Sequence, residues 1–276
     1  MKEINLNYSE TALSKAIRYV YDPIGQFIKS EEFKELARKN PEHFTRDRGL
    51  PLPDLVLMIL NYRKGTINSE LEQFTQAIYG QDTLPKVTPS AFCQARQKLR
   101  PEALIGLNSR ILDEFEARFA LHRWHGFRIL AVDGSTGQLP NEEVIAEIYG
   151  GPTDANAPRA RFCRLYDVLN KVIICSDMEP YEVGEREIAA PYLYEVKEND
   201  LLLYDRGFPA FWFFAMHRDM GRSFCARAKL SHSSEVREFV ASGERTRIVT
   251  LSPPSAAKAQ CEDYNLDILH FSVDTL

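Results

Sequence analysis

The chain has no apolar run approaching the ~20 residues that a helix needs to cross a bilayer. Its first residues, Met1-Lys2-Glu3-Ile4-Asn5, lack the apolar stretch of a secretory signal. No membrane partner is expected, and the expected location is the cytoplasm. Cysteine is scarce: Cys93, Cys163, Cys175, Cys225 and Cys261 are odd in number and widely spaced, with no Cys-x-x-Cys pair. That excludes a disulfide framework and a thiolate zinc site, and reads as small core residues in a reducing compartment. A glycine-rich phosphate loop and a Gly-x-Ser-x-Gly elbow are both missing, so ATP hydrolysis and serine-hydrolase chemistry have no footing. His122 and His125 are spaced to share one helix face, but no third ligand stands nearby, so they do not make a metal site. No small-molecule substrate is expected.

What is present suits a folded protein. The 276 residues are enough for one large domain or two smaller ones, and 44% hydrophobic residues can bury a sizeable core. The net charge of −5 argues by itself against nucleic acid. Its distribution argues differently. Lys and Arg outnumber Asp and Glu eight to four over 86–128 and four to one over 159–171, whereas acids lead nine to two over 177–205. The basic stretches suit phosphates and the acidic one suits metal. Charges that merely solvate a face are the alternative for any single residue.

Residues 1–126 read as helical. Ser30 with Glu31 and Glu32 makes one start signal, and Thr88-Pro89 another. Pro53 opens an apolar stretch, Asn68-Ser69-Glu70 caps a segment that Gly80 stops, and Pro101 begins a helix with Leu104, Leu107, Ile111 and Leu112 at helical spacing. From Phe127 the texture changes. Ile129 to Val132 and Leu201 to Tyr204 are short apolar runs of the kind buried strands show. Arg161 to Leu169 and Lys171 to Asp177 read as a hairpin joined at Asn170. Glu185 to Val196 reads as a helix interrupted by Pro191, and Pro209 to Met220 as an apolar helix stopped by Gly221. Short strands are expected over Ser223 to Arg227, Arg247 to Leu251 and Asp267 to Val273, with a helix over Ser234 to Ala241. Three strands, a helix, a strand, a helix and a strand form an α/β layout, the order of a ribonuclease H-like mixed sheet. The expected organisation is a helical DNA-binding region over 1–126, this sheet over 127–230, and the start of a β-rich insertion over 231–276.

Two segments share a design. Ile129-Leu130-Ala131-Val132 delivers Asp133 before Gly134, and Leu201-Leu202-Leu203-Tyr204 delivers Asp205 before Arg206-Gly207. Ligands of open α/β sheets bind at the carboxyl ends of strands. If the two strands are parallel neighbours, the carboxylates lie side by side and call for a cation, with Mg²⁺ or Mn²⁺ favoured by hard oxygen donors. The competing reading is that Asp-Gly and Asp-x-Gly merely close turns after strands.

The run Ser90-Ala91-Phe92-Cys93-Gln94-Ala95-Arg96-Gln97-Lys98-Leu99, the block Ala131-Val132-Asp133-Gly134-Ser135, the segments Arg164 to Asn170 and Gly184-Glu185-Arg186, and the block Leu202-Leu203-Tyr204-Asp205-Arg206-Gly207-Phe208 together resemble the DDE transposases of bacterial insertion sequences, the insertion-sequence-4 type. The likeness runs from about Phe44 to Arg227. It implies that Asp133 and Asp205 are the first two catalytic acids and metal ligands, and that the activity is cut-and-paste transposition on DNA ends and target, with a homodimer among the partners. It also implies a third acid within Tyr-x2-Arg-x3-Glu-x6-Lys. No tyrosine here has Arg three residues on, and Glu235, Glu238, Glu244 and Glu262 stand outside that pattern. The expectation is therefore an incomplete chain that ends inside the insertion and lacks strand cleavage by itself. The alternative is a non-catalytic DNA-binding relic that inhibits an intact transposase.

For DNA contact, Ser90, Gln94 and Gln97 suit base edges, and Arg96, Lys98 and Arg100 suit phosphates. The same helix also reads as amphipathic, with Phe92, Ala95 and Leu99 packed inward and the basic face solvated. Arg161 and Arg164 either approach DNA near the metal or pair with Asp167 or the acidic segment. Arg206 either meets a phosphate or balances carboxylates. Trp212 with Phe211, Phe213 and Phe214 reads as a core helix, since so dense an apolar run needs burial.

Overall fold

Helix-start chemistry organises the N-terminal part of the molecule. The computed structural model describes residues 22–45, 49–80, 87–153, 156–251, 253–264, 266 and 273–275. The chain forms two compact units, Met1–Phe119 and Ala120–Leu276. In the first, a helical stretch over 22–28 precedes α1 (Glu31–Ala37), α2 (Leu52–Asn61), α3 (Ile67–Tyr79), α4 (Pro89–Gln97) and α5 (Glu102–Arg118). The Ser30 hydroxyl accepts the Phe33 N–H at 3.1 Å, and Glu31 and Glu32 face the positive end of the helix dipole. Thr88 caps α4 through the Ala91 N–H at 3.2 Å, with Pro89 at its first position. The cap of α3 is Thr66, slightly upstream of the expected Asn68-Ser69 signal, and Gly80 ends the helix at φ 108°. Phe33, Ala37, Val56, Leu99, Ala103 and Leu107 form one core of this unit; Leu55, Met58, Leu71 and Phe92 form a second.

In the second unit the strands are β1 (Arg128–Gln138), β2 (Arg159–Asp167), β3 (Val172–Pro180), β4 (Asp200–Tyr204) and β5 (Ser223–Ala226). They make one sheet in the order β3-β2-β1-β4-β5. β1–β2 and β2–β3 are antiparallel; β1–β4 and β4–β5 are parallel. This is a mixed ribonuclease H-like sheet. The hairpin turn after β2 is tied by Asp167, whose Oδ1 accepts the N–H groups of Leu169 at 3.2 Å and Asn170 at 2.9 Å. The same buried carboxylate takes the Arg128 guanidinium and the Asn170 amide, so the charge is compensated. The helices are α6 (Glu143–Tyr149), α7 (Glu185–Ala189), α8 (Phe211–Asp219), α9 (Ser234–Ser242) and α10 (Ser255–Asp263). Pro191 has the foreseen effect: α7 gives way to a 3-10 turn over Ala190–Tyr194.

One core lies on the face of the sheet formed by Leu130, Val132, Leu165, Leu202 and Tyr204, under α7, α8 and α10. Phe211 to Ala215 are all buried, as so apolar a helix requires, and Trp212 stacks on Tyr264 at 4.5 Å between ring centroids. The described residues of 231–276, a stretch expected to open a β-rich insertion, include α9, α10 and the antiparallel pair of β6 (Val249–Leu251) with β7 (Val273–Thr275). The helix α10 was not foreseen; its Ala257 and Cys261 are buried in the core of the sheet. The rest of the strand expected over 267–273 lies outside the described residues. Two smaller expectations are corrected. Cys225 is exposed while Cys163 and Cys261 are buried, so the cysteines are not uniformly core residues. His122 and His125 do not share a helix: both precede β1 in irregular chain, where the Trp124–Phe127 bridge turns the backbone and His125 has φ 47°. Among the described residues, no helix is long and apolar enough to cross a membrane.

His217 on α8 is fully buried among Tyr204, Phe213 and Phe224, with Nε2 2.9 Å from the Tyr204 hydroxyl. Burial holds its pKa down at about 4. The unfolded chain, with an ordinary value near ~6.5, takes up the proton first as pH falls. His217 thus supports the fold above pH ~6.5 and loses that support progressively as pH drops toward its folded value, by about 3 kcal/mol in all. Urea unfolding followed across this window should show the slope in the wild type and a shallower one in His217→Asn; parallel curves would contradict it.

Candidate metal centre

The site arises where two strands part. β1 is mostly buried from Arg128 to Val132 and emerges at Asp133. Its parallel pairing with β4 ends at Val132↔Tyr204, whereas its antiparallel pairing with β2 continues from Asp133↔Arg164 to Gln138↔Arg159. After Tyr204 the chain turns, with the Phe208 N–H donating to the Asp205 carbonyl at 3.1 Å. One step beyond the last paired residues stand Asp133 and Asp205. Asp133 lies within β1, where its parallel pairing to β4 stops, Asp205 just follows the carboxyl end of β4, and both are exposed.

Their surroundings differ. Asp205 Oδ1 lies 3.4 Å from an Arg227 Nη1, in a pair that is mostly exposed and so weakly held. Asp133 has no side-chain hydrogen bond or ion pair among the described residues. Arg164, its cross-strand partner, and Arg206, next to Asp205, are both exposed. Arg161 turns inward instead. Its Nε and Nη2 donate to the Tyr181 carbonyl at 3.3 and 3.0 Å, its guanidinium lies over the Tyr181 ring, and its Nη1 reaches Glu185 Oε1 at 3.4 Å. Of the two readings left open for Arg161, the structure displays pairing with the acidic segment.

Glu185 is the residue that the sequence reading did not weigh. It begins α7 and lies against Gly134 and Gly207, the glycines that follow Asp133 and Asp205. Its neighbour Arg186 donates from Nε to the Gly207 carbonyl at 3.2 Å. Its advance signals were the Gly184-Glu185-Arg186 segment, quoted for the resemblance without a role for the glutamate, and the repetition of glycine after both aspartates.

Asp133 and Asp205 offer hard oxygen donors, open to solvent and largely free of protein partners. Mg²⁺ is commonly held by one or two carboxylates while keeping water or taking substrate phosphate as its remaining ligands, so this donor set fits such an ion. Among the described residues, no group of three or more His, Cys, Asp or Glu is placed to hold a metal by itself. Cys163, opposite Gly134, is buried, and burial pushes its thiol up to about 11. The remaining expected contacts belong to the other unit. On α4 and just after it, Ser90, Gln94, Arg96, Gln97 and Lys98 are exposed and Arg100 is half-buried, while Phe92 and Leu99 are buried. Gln94 also donates to Ser90 at 3.3 Å.

No family model matches the chain. Its sequence is 22% identical over 200 residues to the transposase InsG for insertion sequence element IS4 of Escherichia coli (strain K12). The chain is similar to the insertion-sequence-4 transposases. The match covers 70% of the chain and 45% of that relative, so the chain spans about half of the relative's length. Looser overlaps occur with solved structures. The piggyBac transposase synaptic complex with hairpin DNA gives a TM-score of 0.39 at 12% identity, covering 89% of this chain and 56% of that one. The Mos1 transposase paired-end complex with left transposon end gives 0.26 at 12% identity, covering 85% and 75%.

Because Arg161 ties β2 to the Tyr181 carbonyl and to Glu185, Arg161→Ala should destabilise this unit by on the order of 1–2 kcal/mol, the scale of hydrogen bonds from a charged donor. Denaturant melts would register this as a lower midpoint at unchanged slope. A midpoint equal to that of the wild type would show that the contacts carry no stability.

Proposed function

We propose that the chain serves DNA transposition as a DDE-type transposase, with Asp133 and Asp205 as the first two acids of its metal-dependent site. The observation that supports this reading is the parallel register of β1 and β4, whose last pair is Val132↔Tyr204, the residues just before Asp133 and Asp205. The sequence match to the IS4 transposase supports it. In such a site, divalent ions supply activation of a water and stabilisation of the leaving 3′ oxygen of a phosphodiester. The chain's own residues hold the cation, here Mg²⁺ or Mn²⁺, and orient DNA around it. Arg164 and Arg206, exposed beside the two acids, are placed to meet phosphates. The helical N-terminal region reads as the DNA-binding part. On α4, Ser90, Gln94 and Gln97 recur at helical spacing on an exposed face suited to base edges, with Arg96, Lys98 and Arg100 for the backbone. Transposon ends and target DNA are the proposed partners, with a second copy of the chain completing a homodimer.

Titration calorimetry with Mg²⁺ and Mn²⁺ tests the centre. The wild type should bind, and Asp133→Ala and Asp205→Ala should each lose binding. Three indistinguishable titrations would remove both aspartates from a metal site. DNA contact is checked separately, by affinity across a salt series. With Arg96→Ala and Lys98→Ala combined, the slope of log affinity on log salt should flatten by roughly two, close to one per lost phosphate contact on duplex DNA. Unchanged affinity and slope would remove α4 from the DNA interface.

A further inference from the structure

We propose that Glu185 is a positioning residue of the Asp133–Asp205 site: it lies against Gly134 of β1 and Gly207 of the turn after β4, and adds a third negative charge close to the two acids. The inference rests on the metal-site reading above and deepens it.

The geometry comes from absent atoms. A Cβ on Gly134 would lie 2.7–2.8 Å from Cδ, Cγ and Oε1 of Glu185, and one on Gly207 would lie 3.5 Å from its Oε2. Neither glycine has a positive φ. Turn conformation therefore does not demand glycine at either place; the close approach of Glu185 makes use of it. Two glycines, far apart in the chain and each just past an aspartate, thus accommodate one carboxylate.

That carboxylate sits where β1 and β4 separate. Beyond Val132↔Tyr204 nothing in the ladder fixes the spacing of Asp133 and Asp205, because β1 continues with β2 alone. Glu185 touches the chain just past both. Its own place is fixed by Arg161 at 3.4 Å and by the start of α7, where Glu187 accepts the Gly184 N–H at 3.0 Å. Arg186 clamps Gly207 from the same turn.

Packing alone does not call for a charge at this position, since glutamine has the same shape. A third carboxylate near two others raises their mutual repulsion and so increases the gain from a bound cation. Arg161 offsets this only in part, because two of its three donor nitrogens are engaged by the Tyr181 carbonyl and its single contact with Glu185 is long.

The test is Mn²⁺ titration calorimetry on the full chain, with melting temperatures of the cation-free protein as the control for folding. Glu185→Gln should weaken Mn²⁺ binding about tenfold, the lower end of what outer-shell partners of a metal contribute, at an unchanged melting temperature. Gly134→Ala, whose methyl displaces the Glu185 side chain, should weaken it to a similar extent. The double variant should lose no more than either single one, because both act through the same group. Glu185→Asp, which keeps the charge, should retain most of the affinity. Wild-type affinity in Glu185→Gln, alongside loss of binding in Asp133→Ala, would overturn this proposal and leave the metal-site reading standing. Additive losses in the double variant would also overturn it. Absence of Mn²⁺ binding by the wild type would overturn both.

Discussion

Everything in the second unit depends on β1 pairing in opposite senses along its two edges. Toward β2 it runs antiparallel and stays paired along almost its whole length; toward β4 it runs parallel and stays paired only to Val132. Antiparallel neighbours can be joined by a tight turn, as at Asp167 to Lys171, whereas parallel neighbours need a crossover, here through β2, β3 and α7. The unequal lengths of the two ladders open the sheet at one end. A strand buried on both faces becomes a solvent-facing edge within one residue, and that residue is Asp133.

Charge is arranged to suit this asymmetry. At the closed end of the sheet, Arg128 and Asp167 are both buried and paired, with the hairpin N–H groups completing the shell of the carboxylate. At the open end, Asp133 and Asp205 face water with little compensation, and Glu185 lies against Gly134 and Gly207 beside them. Buried charge needs a partner within the protein, whereas exposed carboxylates crowded together gain from a cation supplied from outside. The two ends therefore hold the same residue types differently: one pairs them within the fold and the other leaves them open to solvent.

Much of the local structure was legible from particular residues. Ser30, Thr88 with Pro89, and Gly80 act where their capping chemistry placed them, and Pro191 converts a helix into a 3-10 turn. The aromatic run from Phe211 to Phe214 is core because no soluble surface could carry it. Less legible was the stretch after Leu251. Ser255-Ala-Ala-Lys-Ala-Gln is a good helix former, yet between two β-rich runs its propensity was outweighed by the expectation of strands, and α10 emerged only with its packing against α8. The exposed Cys225 and the turn that holds His125 were equally out of reach, because exposure and backbone twist at single residues depend on what the rest of the chain leaves uncovered.

The order of the five sheet strands, the two apolar runs and the aspartate that follows each run were determined by the sequence alone, since these follow from hydrophobic period and from cap and turn residues acting over a few positions. The tertiary structure decided that the two strands are parallel neighbours in a register that ends just before both aspartates. It also decided that Arg161 faces inward and that Glu185 fills the space left by Gly134 and Gly207. These are properties of hydrogen-bond ladders and close contacts between segments distant in the chain, and no local pattern encodes which segment will lie beside which.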